Sequence, residues 1–317
     1  MPLTNYPSGV SSFGMPLVGG AGVATTGNVF FVSSVASGRS NSTAAGRDPS
    51  TPFATLDYAI GQCTASNNDV IYVMPGHVET IATAAGVAVD VAGIAIVGMG
   101  RGSLRPTMNF TATGSTFAIT AANILITNIL FTGGIDAIVT PITIAAADVE
   151  LISIETRDVT GQAIDWITTT AAANRLHIRN WTHAGALLPG ADTAISIVGG
   201  DGIDIENFRI FGNFAVAAIE NVTTASTNLI IGGGDTVNYI QNSLDNAAVV
   251  AVTLVATATG FIGPNINIRI GQDATSNTTN ITEALVGAAM QFMQPLNIAN
   301  LGGEVAMQSN ITAATDA

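Results

Sequence analysis

Leu176-His177-Ile178-Arg179-Asn180-Trp181 recurs 27 residues later as Ile203-Asp204-Ile205-Glu206-Asn207-Phe208. Each run has an apolar anchor, an isoleucine two positions on, an asparagine four on and a large aromatic five on. Working outward, the anchors become Ile94, Ile124, Val149, Leu176, Ile203, Leu229 and Phe261, spaced by 30, 25, 27, 27, 26 and 32 residues. The second apolar position reads Ile96, Ile126, Leu151, Ile178, Ile205, Ile231 and, once, Gly263. The corner position reads Gly98, Asn128, Ser153, Asn180, Asn207, Gly233 and Asn265. Apolar residues two apart follow the strand period, and self-similarity at a steady spacing marks a solenoid.

A second alternating strand precedes most anchors: Val87/Val89, Phe117/Ile119, Ile142/Ile144, Ile164/Trp166 and Ile195/Ile197. Two or three such strands and their turns close one coil, and coils stack about 4.8 Å apart by parallel pairing. The expected fold is an all-β parallel solenoid. Asn, Ser and Gly suit the left-handed backbone of a sharp corner, and stacked Asn side chains could also bond along the column. One position further, Ile129, Ile154, Trp181, Phe208 and Ile266 form a second apolar register. It reads as an interior stack, with exposed sugar platforms at Trp181 and Phe208 as the other reading.

The chain has 317 residues, 48% of them apolar and 10% charged, as one elongated domain with apolar inward positions would have. All nine basic residues are arginine, which excludes Schiff-base lysine chemistry and a P-loop. A net charge of -13 argues against a nucleic-acid partner. Cys63, the single cysteine, reads as a small buried hydrophobe rather than a nucleophile. No signal-peptide pattern opens the chain, so synthesis in the cytoplasm is expected. The apolar window 247–263 is interrupted by threonines and reads as a coil, with no membrane partner expected.

Three regions are expected. Residues 1–45 form an arm and lead-in strand, with no charge before Arg39; Tyr6, Phe13 and Leu17 suit docking on a partner subunit. Residues 46–272 form the solenoid, including a capping helix over 51–63 on which Leu56, Ala59, Ile60 and Cys63 share a face. Residues 273–317, rich in Asn and Thr and then Met, form a terminal cap or tail.

The run Gly46-Arg47-Asp48-Pro49-Ser50-Thr51-Pro52-Phe53-Ala54-Thr55-Leu56, followed by Asp69-Val70-Ile71-Tyr72-Val73-Met74-Pro75-Gly76, resembles the opening of pectin-lyase-like right-handed parallel β-helix proteins. The opening Met1-Pro2-Leu3-Thr4-Asn5-Tyr6-Pro7-Ser8-Gly9-Val10-Ser11-Ser12-Phe13-Gly14 is similar to β-helical proteins of tailed bacteriophages. The resemblance implies a right-handed, single-stranded β-helix serving either as a virion component or as a polysaccharide-cleaving enzyme. It further implies a homotrimer on the particle surface, a capsid decoration or projecting spike, with the major capsid protein and a host glycan as partners.

The catalytic signatures of that fold are missing: there is no Asp-Asp pair and no Arg-Ile-Lys, and the only histidines are His77, His177 and His183. No cofactor or metal motif is found. The repeat nevertheless places Glu150, His177, Asp204, Arg179 and Glu206 on one outward face of three successive coils. Carboxylates beside an imidazole favour its protonated form, so the group could serve as an acid. Charge compensation between neighbouring strands explains it more simply, and calcium or glycan contact stands as a further reading. The expectation is a structural, non-catalytic virion protein. The alternatives are a polysaccharide depolymerase and a glycan-binding adhesin.

Overall fold

The computed structural model describes residues 10–12, 15–17, 25–158, 163–185, 191–221, 223–242, 250–270, 285–286, 290–293 and 296–300. They form a parallel β-solenoid with three sheets of ten, nine and eight strands running its length. The first sheet runs from Val29–Val32 to Met290–Phe292 and carries the anchor strands. The second runs from Val78–Ile81 to Leu296–Asn300, and the third from Val87–Val89 to Leu285–Val286. Strands Leu285–Val286, Met290–Phe292 and Leu296–Asn300 extend the three sheets beyond residue 272. A small antiparallel hairpin pairs Val10–Ser12 with Met15–Leu17, which includes Leu17; Tyr6 and Phe13 lie outside the described residues.

One continuous core fills the coil, built from alternate inward side chains of the strands whose burial is described. Ile96, Ile126, Leu151, Ile178, Ile205 and Ile231 are all 1% exposed or less. Each such side chain contributes about 1.5–3 kcal/mol by leaving water. Ile129, Ile154, Trp181, Phe208 and Ile266 are likewise buried, so Trp181 and Phe208 are core residues and not exposed platforms. Between Phe208 and Ile266 the stack carries Asn238, fully buried, whose side chain takes the Phe208 N–H and donates to Gly233 O.

The corners explain the repeat. Asn128, Ser153, Asn180, Asn207 and Asn265 have φ between 53° and 64°. The left-handed region costs most side chains roughly 1–2 kcal/mol and Asn less. The ladder along this column is made by the backbone: Asn128, Ser153 and Asn180 donate their N–H to the carbonyls of Ile152, Arg179 and Glu206. Asn128 and Asn207 turn their side chains to Gly98 O and to Thr236. A second left-handed column lies at the other end of the same strands: Asn68, Gly93, Asn123, Asp148, Arg175, Gly202 and Asn228. Each stands one residue before an anchor position.

Two registers differ from the sequence reading. Leu229 pairs with Gly260, not Phe261, and Phe261 points outward with 39% exposure. Gly263 and Pro264 stand between Ile262 and the Asn265 corner, where Leu151 and Ser153 are separated by Ile152 alone. That extra residue displaced the expected anchor by one. In the third sheet Ile142 and Ile144 pair with Ile167 and Thr169 rather than with Ile164 and Trp166. Trp166 still lies in the core, with its indole N–H on Asp158 Oδ1 at 3.1 Å.

The helix is shorter than expected, Leu56–Ile60. It buries Leu56, Ala59 and Ile60 against Val29–Val32, Val70–Val73 and Val87–Val89, and Asp57 accepts the Ala88 N–H. No described helix is long and apolar enough to cross a membrane.

Candidate functional site

Parallel register puts the expected charged cluster together. Glu150 pairs with His177 and His177 with Asp204; beside them Ile152 pairs with Arg179 and Arg179 with Glu206. His177 Nε2 lies 3.4 Å from Asp204 Oδ2 and 3.2 Å from Glu206 Oε1. Arg179 Nε lies 2.6 Å from that same Glu206 oxygen. The terminal Arg179 nitrogen is 3.2 Å from both ring nitrogens of His177, which places it over the imidazole face rather than in its plane. Burial raises the Asp204 carboxyl above its ordinary value; Glu206 adds to this, while His177 and Arg179 pull the other way. Glu150 is exposed and stands beside the cluster.

The other two histidines lie inside the coil. His77 bonds Glu79 at 2.9 Å, and that carboxylate also takes the Leu56 N–H. His183 is fully buried among Trp166, Trp181 and Phe214, and burial pushes its imidazole down to about 3. His177 is therefore the histidine that can meet a solute. Cys63 donates to Ala59 O, and burial pushes its thiol up to about 12, which removes thiolate chemistry.

Next to the cluster runs an open groove of roughly 660 Å³ along the second corner column. Asn123, Asp148, Glu150, Arg175 and His177 line part of it. Arg175 grips Asp148 through two bonds of 2.6 and 2.7 Å, one coil apart. Sequence reasoning missed this column because Arg175 broke the Asn, Asp and Gly pattern that marks its other members. On the second sheet Glu155 accepts from Arg105 and Arg157 at 2.8 and 2.9 Å.

No family model, curated protein or solved structure matches this chain.

Chemically, the cluster offers one imidazole and two carboxylates that converge within 4.8 Å of one another. It could hold a cation or share a proton. Glu206 is already engaged by Arg179.

Proposed function

We propose that this chain is a non-catalytic structural protein of a bacteriophage particle, a rigid rod serving as capsid decoration or projecting spike. The observation that carries this reading is the pairing of surface charge on the coil. Asp148 is held by Arg175, Glu155 by Arg105 and Arg157, and Glu206 by Arg179. What remains exposed on the described coil is largely Thr and Ala with Ser, Asn and Gly, a weakly charged surface suited to packing against other copies. The reading takes the coil as right-handed, the Leu56–Ile60 helix as its N-terminal cap, and the assembly as a homotrimer. The uncharged arm with Tyr6, Phe13 and Leu17 then docks on a neighbouring subunit or on the major capsid protein.

The second reading is a depolymerase, favoured by Asp204 and Glu206 converging on His177. Imaging of purified particles separates the two. A structural protein appears at high, symmetry-related copy number, and His177→Ala leaves assembly intact. Absence of the chain from particles, with release of sugar ends that His177→Ala abolishes, would overturn the structural reading.

A further inference from the structure

The geometry points to a divalent transition-metal site on the outer face of the first sheet, with His177 Nε2, Asp204 Oδ2 and Glu206 Oε1 as its protein ligands. The inference does not depend on whether the chain is structural or enzymatic.

The first argument is spacing. Nitrogen and oxygen ligands bound to one zinc-sized ion at about 2.1 Å stand roughly 3.0–3.4 Å from each other. His177 Nε2 stands 3.4 Å from Asp204 Oδ2 and 3.2 Å from Glu206 Oε1. The second argument is donor type. One imidazole nitrogen and two carboxylate oxygens from two adjacent strands face one point, and a cation takes a lone pair from each even though Arg179 also holds Glu206 Oε1. The third is an unanswered oxygen: Asp204 Oδ1 is enclosed and has no hydrogen-bond partner among the described residues. A carboxylate with one oxygen enclosed and the other at the convergence point carries charge that its protein neighbours answer only in part.

The scaffold favours this arrangement. His177 lies on one strand and Asp204 and Glu206 on the next, with Ile178 and Ile205 anchoring them in the core between the outward side chains. The Arg179 guanidinium lies over the ring face and leaves the in-plane Nε2 lone pair directed at the carboxylates. All three ligands are partly exposed, at 24%, 33% and 18% of their side-chain surface, so an ion can enter and water can complete its coordination. The imidazole selects borderline ions such as zinc, cobalt or nickel over calcium and magnesium, which prefer oxygen alone. Arg179 opposes the ion: it holds Glu206 Oε1 and brings positive charge, so it lowers affinity.

The test is calorimetric titration of the chelator-stripped full chain with zinc chloride, and with calcium and magnesium chloride in parallel. Zinc is expected to bind at one equivalent and to raise the melting temperature. His177→Ala and Asp204→Asn should each weaken zinc binding by about 100-fold or more, since even outer-shell changes cost 10–100-fold. Arg179→Gln should tighten it by about tenfold, an outcome that a merely structural ion pair would not give. Asp148→Asn, outside the ligand set, should bind as the wild type does. On the wild-type protein the His177 imidazole nitrogen resonances should shift with zinc while those of His77 and His183 stay, which decides the matter should a variant fail to fold. Wild-type binding no tighter than that of His177→Ala and Asp204→Asn, a preference for calcium, or an unmoved His177 resonance overturns the site.

Discussion

Acidification should destabilise the coil through His183, which lies in the core with no accessible surface. Trp181 Nε1–H donates to Thr156 Oγ1 at 3.0 Å, and Thr156 Oγ1 stands 2.8 Å from His183 Nδ1. The hydroxyl that accepts from the indole is free to donate to Nδ1, which leaves the ring proton on Nε2. That nitrogen has no hydrogen-bond partner among the described residues, and the Phe214 ring lies 5.4 Å away between centroids. Burial holds the imidazole near 3 against an ordinary 6.5. Below pH 6.5 the unfolded chain takes up a proton that the folded chain refuses. Stability from this group is thus complete above pH 6.5, falls as pH falls, and levels off near pH 3. At about 1.4 kcal/mol per unit, the loss by pH 4.5 is roughly 3 kcal/mol, approaching about 5 kcal/mol at pH 3.

The assay is urea unfolding of the wild type and His183→Gln at several pH values from 7.5 to 4.5. The chain's two tryptophans, Trp166 and Trp181, both lie against His183 at 6.0 and 6.3 Å between centroids, so their fluorescence reports this part of the coil. Glutamine does not titrate, so the stability difference between the two proteins should shift with acid in favour of the variant by about 2–3 kcal/mol across that range. Parallel pH curves for the two proteins would refute the argument, as would an imidazole at position 183 titrating near its ordinary value.

Other expectations follow from single contacts. Asp69 is buried and accepts from the backbone N–H groups of Asn28 and Thr64 and from the side chains of Asn28 and Asn67. Burial alone would raise its carboxyl, but these bonds outweigh burial and hold it below the ordinary value; Asp69→Ala should cost at least about 3 kcal/mol in urea unfolding. Asn180 has φ 56°, so Asn180→Gly should be near neutral while Asn180→Val loses about 1–2 kcal/mol, read from paired melting curves. Gly98→Ala would place a Cβ 2.1 Å from the Asn128 carbonyl oxygen of the next coil, and should destabilise by about 1–3 kcal/mol or abolish soluble expression.

The repeat was legible because stacking imposes it: a residue at a corner or in the core meets its counterpart one coil away, so the same chemistry must recur at each turn. Leu176, Ile203 and their kin therefore announced the first sheet, and the charged face could be assembled by counting. Counting failed where coil length changed. The extra residue before Asn265 moved Phe261 from the core to the surface, and the strand around Trp166 is shifted relative to its neighbours, which alternation alone does not reveal.

By itself the sequence determined the solenoid, the corner at Asn180 and Asn207, and the shared face of His177, Asp204 and Glu206. Each follows from periodicity, which acts along the chain. Only the tertiary structure decided which histidine meets water, which carboxylate Arg179 occupies, and that Arg175 turns a corner. Those depend on side-chain direction and enclosure. Register brings His177 and Asp204 to adjacent strands, but rotamers and burial set whether their atoms converge on a point where an ion or a proton can sit.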